Sequence, residues 1–194
     1  MKHQLYLRPS GQSFDAPFIN RGFLPKLFLG GFVATLVMTL FIYIGPLLGL
    51  PNVDFAGLLG SLLVGHPVTL FSAPWWIGMA WHFINGTFVF PAFYAFWVYP
   101  VLSPDHSGTS VRNGFSAQPI RRAMYWGLML WAFCQGFAMP FAGAGFFSIR
   151  TLQPGWVIFG SLMAHIIYGA VLGAMTASRS RRIVLIRHEE ERAA

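Results

Sequence analysis

The chain has 194 residues, 55% hydrophobic and 17% aromatic but only 10% charged, with a formal net charge of +7. A water-soluble domain usually carries about 25% charged residues, so an ordinary soluble fold is excluded. A disulfide scaffold is excluded too, because Cys134 is the single cysteine and has no partner within the chain.

The few charges are also unevenly placed. None falls between Leu27 and Val53, Phe55 and Pro104, Ala123 and Ile149, or Thr151 and Ser178. A spanning helix needs about 20 mainly apolar residues, because the hydrocarbon layer is ~30 Å thick and a helix rises ~1.5 Å per residue. Four spans are predicted, at 27–49, 75–99, 121–141 and 155–178. The expected fold is therefore all-α, a four-helix transmembrane bundle forming one domain over 27–178. Tails at 1–26 and 179–194 flank it.

The first 26 residues are polar, with Pro9, Gly11 and Pro17, and no secretory signal peptide is expected there. The apolar run begins only at Leu27, is too long for a signal core, and has no small-residue cleavage site after it. The first span ends at GPLLGLP, where Pro46 marks a kink and Pro51 a stop. In the connector, FAGLLGSLLVG (55–65) is too short to span. It is predicted as a short interfacial or re-entrant helix between the first two spans, with Asp54 as its N-cap. Pro91 predicts a bend in the second span, SPDHSGTSVRNG (103–114) a turn-rich loop, and RSRRIVLIRHEEERAA a charged, partly helical tail.

With four spans, both tails and the 100–120 loop share one side. That side holds Lys2, Arg8, Arg21, Lys26, Arg112, Arg121, Arg122, Arg179, Arg181, Arg182, Arg187 and Arg192, leaving only Arg150 opposite. Cytoplasmic loops retain Lys and Arg, so both termini are expected in the cytoplasm of a multi-pass inner-membrane protein. Basic residues this close to a bilayer point to anionic lipid headgroups rather than nucleic acid.

The halves echo each other. GPLLGLPNVDFAG in the first is answered by MPFAG in the second, and AWHFING (80–86) by AHIIYG (164–169). A duplicated two-helix unit is expected, in which the second and fourth spans run in the same direction. His82 and His165 then sit at similar depth, roughly 10–14 Å inside the end opposite the basic loops. Small residues lie one turn away on the same face: Gly78 and Gly86 beside His82, and Ser161 and Gly169 beside His165, with Gly173 beyond.

Two readings of these histidines stand side by side. In one, small-xxx-small faces, including Gly45/Gly49 and Gly169/Gly173, bring helix backbones together. Each imidazole then bonds a neighbour such as Thr35, Thr39, Asn85 or Gln135. In the other, Gly78, Gly86 and Gly169 leave space for a flat ring, and His82 and His165 ligate one haem b iron from opposite faces. Trp81, Phe83, Phe88, Trp131 and Phe133 would pack that ring. Intramembrane ionisable residues are functional candidates by default. Zinc fares worse, since the spans offer no carboxylate and one thiol. Met79 and Met163 are read as packing rather than copper ligands, and His66, His106 and His188 as solvated.

No acidic residue falls within a span, which disfavours a carboxylate proton relay. No phosphate-binding glycine loop and no serine with a base and orienting acid is present, so no catalytic constellation is legible.

The run GGFVATLVMTLFIYIGPLLGLPNVDFAGLLGSLL followed by HFING carries Gly31, Thr35, Met38 and Thr39, then Pro46, Gly49 and Pro51, then His82 and Gly86. It resembles a family of small uncharacterised four-helix bacterial inner-membrane proteins, mainly over the first half. The resemblance implies a four-helix membrane fold and a bacterial source, and no activity. The aromatic-rich second half departs from that pattern and is read as surface for a partner. The functional expectation is a non-catalytic accessory or structural subunit of a respiratory or photosynthetic inner-membrane complex. The alternatives are a b-type cytochrome carrying electrons through haem on His82 and His165, and an oligomeric transporter or channel.

Overall fold

The computed structural model describes residues 23–98 and 118–177. The predicted tails other than residues 23–26, which already belong to the first helix, lie outside the described residues, as do the 103–114 loop, His106, His188 and most of the basic residues. Among the described residues every regular element is helical.

Helix α1, Phe23–Ile44, runs into a tight turn, Gly45–Leu48, that ends on Gly49 at φ +83°. Helix α2, Phe55–Val64, is the short helix expected in the connector, and the Asp54 side chain accepts the Gly57 N–H at its start. Helix α3 begins as Ala73–Ile84 and continues to 98 through a wide π-turn at Asn85–Val89, a helical turn at Phe90–Phe93 and a second π-turn at Tyr94–Val98. Helix α4 is Gln118–Phe133, a π-turn at Cys134–Ala138, and Met139–Phe141. After a tight turn at Phe146–Ser148, helix α5 spans Pro154–Thr176. The segments Phe23–Leu48 and Pro154–Thr176 are each long and apolar enough to cross a membrane.

The order of contacts fixes the directions. Along the α4–α5 seam, Gly173 meets Ile120, Gly169 meets Ala123, and Gly127 meets the His165 carbonyl. One series rises as the other falls, so these helices are antiparallel. Gly30 of α1 meets Met175 of α5, while Gly31 meets Pro91 and Gly86 of α3. Near the other end of α1, Thr39 bonds His82. Helix α1 is therefore antiparallel to both α3 and α5, and these two run in the same direction, as expected.

Backbone-to-backbone approach holds the bundle together. A Cβ on Gly78 would strike the Ala56 carbonyl, one on Gly60 the Pro74 carbonyl, and one on Gly169 the Ala123 carbonyl. Close approach of this kind gains van der Waals contact where apolar burial alone drives little association. Gly45 and Gly49 do not join this pattern. Gly45 packs on Leu50, and Gly49 meets nothing within 4 Å and serves as a left-handed stop instead. The two Phe-Ala-Gly segments also differ in conformation. Phe55-Ala56-Gly57 opens α2, whereas Phe141 closes α4 and Gly143 turns away at φ +82°.

Candidate functional site

Proline decides the local course of α3. Pro91 has no N–H and its ring clashes with the carbonyl four residues before it. The chain answers with the π-turn, in which the Phe90 N–H reaches back to the Asn85 carbonyl. The Gly86 carbonyl loses its usual donor, Phe90, and the next one along is Pro91, which has none. Tyr168 of α5 fills the gap, its hydroxyl donating to the Gly86 oxygen at 2.8 Å. The same arithmetic runs in α4, where the Met139 N–H bonds the Cys134 carbonyl one residue before Pro140.

Both of these turns border one partly open cavity of about 130 Å³, with Asn85 and Gly86 on one wall and Cys134 and Ala138 on another. His82 and His165 line it together, along with Thr35 and Tyr168. Phe55, Leu58, Leu59 and Leu62 of α2 close its apolar side, and Phe90 and Phe133 add rings. The two histidines expected at one depth therefore share one space.

Their hydrogen bonds set which ring nitrogen carries a proton. Thr39 Oγ1 donates its only proton to the Thr35 carbonyl at 2.7 Å. Its oxygen thus accepts from His82, whose Nε2 lies 3.0 Å away and bears the hydrogen. His165 Nδ1–H donates to the Ser161 carbonyl at 2.8 Å, so its Nε2 carries the lone pair. His82 Nδ1 and His165 Nε2 are left as acceptors, and neither has a hydrogen-bond partner. Of the partners expected for the imidazoles, Thr39 is the one found. Gln135 instead accepts from Ser148 Oγ at 2.8 Å.

The three glycines expected to leave room for a ring do something else. Gly78 seats α2 backbone, Gly86 seats the Thr35 side chain, and Gly169 seats α4 backbone. Of the five aromatics expected around a macrocycle, Phe133 alone lines the cavity. Pockets that enclose drug-sized ligands run about 300–1,000 Å³, well above the 130 Å³ here. As packed, the residues do not fit a haem between the imidazoles. His66 is exposed, as expected of a loop residue.

Asp54 does more than cap. Its Oδ1 accepts from the Tyr43 hydroxyl at 2.8 Å, from Gly57 N–H at 3.0 Å and from Trp75 Nε1 at 2.9 Å. One carboxylate thereby ties the end of α1 and the starts of α2 and α3, which fixes α2 over the cavity. Sequence reasoning saw only the cap. A lone carboxylate between two apolar runs, with Tyr43 and Trp75 near the facing helix ends, was the signal for the rest.

Fold and site together define an all-helical bundle with an apolar exterior, backbone-tight seams and one two-histidine cavity. The chain belongs to DUF6789, a family of unknown function, which matches residues 26–183. The match covers both halves of the bundle, further than the first-half motifs alone reach. No curated protein and no solved structure matches the chain.

Proposed function

We propose that this chain is a four-span integral membrane protein serving as a non-catalytic accessory subunit of a bacterial inner-membrane complex, respiratory or photosynthetic. The observation that carries the reading is the inside-out distribution of its side chains. Leu29, Leu40, Trp76, Ile84, Trp97, Met129 and Phe159 are exposed, whereas Thr35, Gln135, Ser148, Ser161 and His165 are buried. Apolar side chains facing outward on every helix belong in lipid or against other apolar helices, since contiguous patches of this kind mark interaction or membrane surfaces.

Lengths agree. The helical stretches 23–48, 73–98, 118–141 and 154–176 extend roughly 34–39 Å each, enough for a hydrocarbon layer of ~30 Å. Lys26, Arg121 and Arg122 stand at one end of the bundle, matching the cytoplasmic side inferred from charge, where anionic headgroups would meet them. A partner is supported by the exposed ladder Phe133–Phe137–Phe141 on α4, whose ring centroids are 5.1 and 4.7 Å apart. Lipid needs no such ordered stack.

The test is purification of the full chain from its native membranes in mild detergent. Stoichiometric membrane partners that are lost when Phe137 and Phe141 are changed to Leu would support the subunit reading. A monomer without partners would overturn it, and recovery in the aqueous fraction without detergent would overturn the membrane reading.

A further inference from the structure

The two acceptor nitrogens, and the cavity that both histidines line, are not used by the packing of the bundle. A polar atom facing an apolar space without a partner costs free energy, and here neither nitrogen has one while both histidines line one space. Both flanking helices are widened beside it by π-turns, a feature often found at functional sites. The void of about 130 Å³ is close to the ~150 Å³ engineered cavity that accepts a benzene molecule. Its walls are Phe55, Phe90 and Phe133 with leucines of α2, surfaces on which an aromatic ring packs well.

We infer that the cavity between His82 and His165 is a binding site for the ring of a small aromatic diol, of the kind carried by the reduced form of a lipid-soluble quinone. Each hydroxyl donates to one free imidazole nitrogen, and the ring lies against the phenylalanines. The sense of the hydrogen bonds sets the selectivity. A quinone brings only carbonyl acceptors to two acceptor nitrogens and finds an amide donor only in Asn85 on the same wall, so the reduced form binds more tightly than the oxidised form. An apolar ring without donors would fill the space but leave both nitrogens unpaired. The location follows from the membrane reading above, because such rings reach the site from lipid.

The test is calorimetry on the full chain in mild detergent, titrated under argon with 1,4-dihydroxybenzene and, separately, with 1,4-difluorobenzene. The two rings are of similar size and differ in their donors. Saturable one-to-one binding of the diol is expected, with the difluoro ring at least about tenfold weaker, as the loss of one to two hydrogen bonds predicts. His82→Phe and His165→Phe should each weaken the diol about tenfold, while Trp156→Leu, exposed at the start of α5, should not change it. Equal binding of the two rings, unchanged affinity in both histidine variants, or no saturable binding of the diol would each overturn the site. So would a stoichiometric metal retained by the histidine pair. If a histidine variant fails to fold, the comparison of the two rings on the native chain still decides. A chain found without detergent in the aqueous fraction sinks the membrane reading, which is a separate outcome from a detergent-purified bundle that ignores the diol.

Discussion

Asp54 is the only carboxylate among the described residues, and its place shows how much one side chain can organise. It caps α2 and receives Tyr43 and Trp75. Removing a cap costs about 0.5–2 kcal/mol, and a hydrogen bond to a charged acceptor is worth about 1.5–3 kcal/mol. Asp54→Ala should therefore destabilise the bundle by roughly 3 kcal/mol, and Asp54→Asn, which keeps one oxygen acceptor, by about half as much. Unfolding in mixed micelles, followed by tryptophan fluorescence, measures both, and equal losses would show that the charge and not the cap matters. The histidines give a second expectation at this scale. A reduced-minus-oxidised absorption spectrum of the purified chain should be free of sharp haem bands, since glycine faces that could have admitted a ring are filled by neighbouring helices. Composition and charge gaps predicted His82 and His165 inside helices at similar depth. They could not say which carbonyl or hydroxyl each ring would reach, because those partners come from Thr39, 43 residues away, and from the helix's own backbone.

The helices divide into those a regular period describes and those it does not. On α5 the buried positions Val157, Ser161, His165, Tyr168 and Leu172 follow the 3.6-residue turn throughout. On α3 they run Trp75, Gly78, Gly86, Thr87, Pro91, Tyr94 and Ala95, so that beyond the π-turn the buried face falls one to two residues later than the earlier turns would place it. A regular count would have buried Val89 and Phe93, and both are exposed. Pro91 predicted a bend; the extra residue it draws into the turn was not legible, since a proline can also be met by a simple kink. The coupling of Pro91 to Tyr168 can be measured. Tyr168→Phe should cost about 1–3 kcal/mol by stranding the Gly86 carbonyl. In a Pro91→Ala background, where an N–H is restored nearby, that cost should shrink by at least half. A double-mutant cycle on micellar unfolding gives the difference, and additive losses would mean that the two residues act independently. The seams offer a simpler contrast. Gly169→Val should lower the midpoint of thermal unfolding strongly, because its side chain would enter α4 backbone. Gly160→Ala, with nothing within 4 Å, should leave it nearly unchanged or raise it slightly.

At the scale of the whole molecule, charge-free runs gave the number, order and approximate bounds of the long helices. The short helix over the connector was also legible, from its length and from Asp54. Inter-helix pairing was not, because every long helix is apolar on most faces and hydropathy does not distinguish an outward-facing side from a helix-facing one. The glycines hold that information, at positions such as Gly31 and Gly127 that meet backbone of another helix. Orientation remains a prediction from the basic residues. A cytoplasmic reporter fused after Ala194 should be active, and one inserted at Arg150 inactive, with the converse for a reporter that works only outside the cytoplasm. Activity of the cytoplasmic reporter at Arg150 would reverse the assignment.

The cavity lies between two stretches of widened main chain, around Asn85 and around Cys134. Its existence is therefore architectural: the outline is drawn by where the backbones swell, and the side chains only trim it. Shortening Leu59 or Phe133 would enlarge the chamber while leaving it in place, whereas straightening either swollen stretch would erase it.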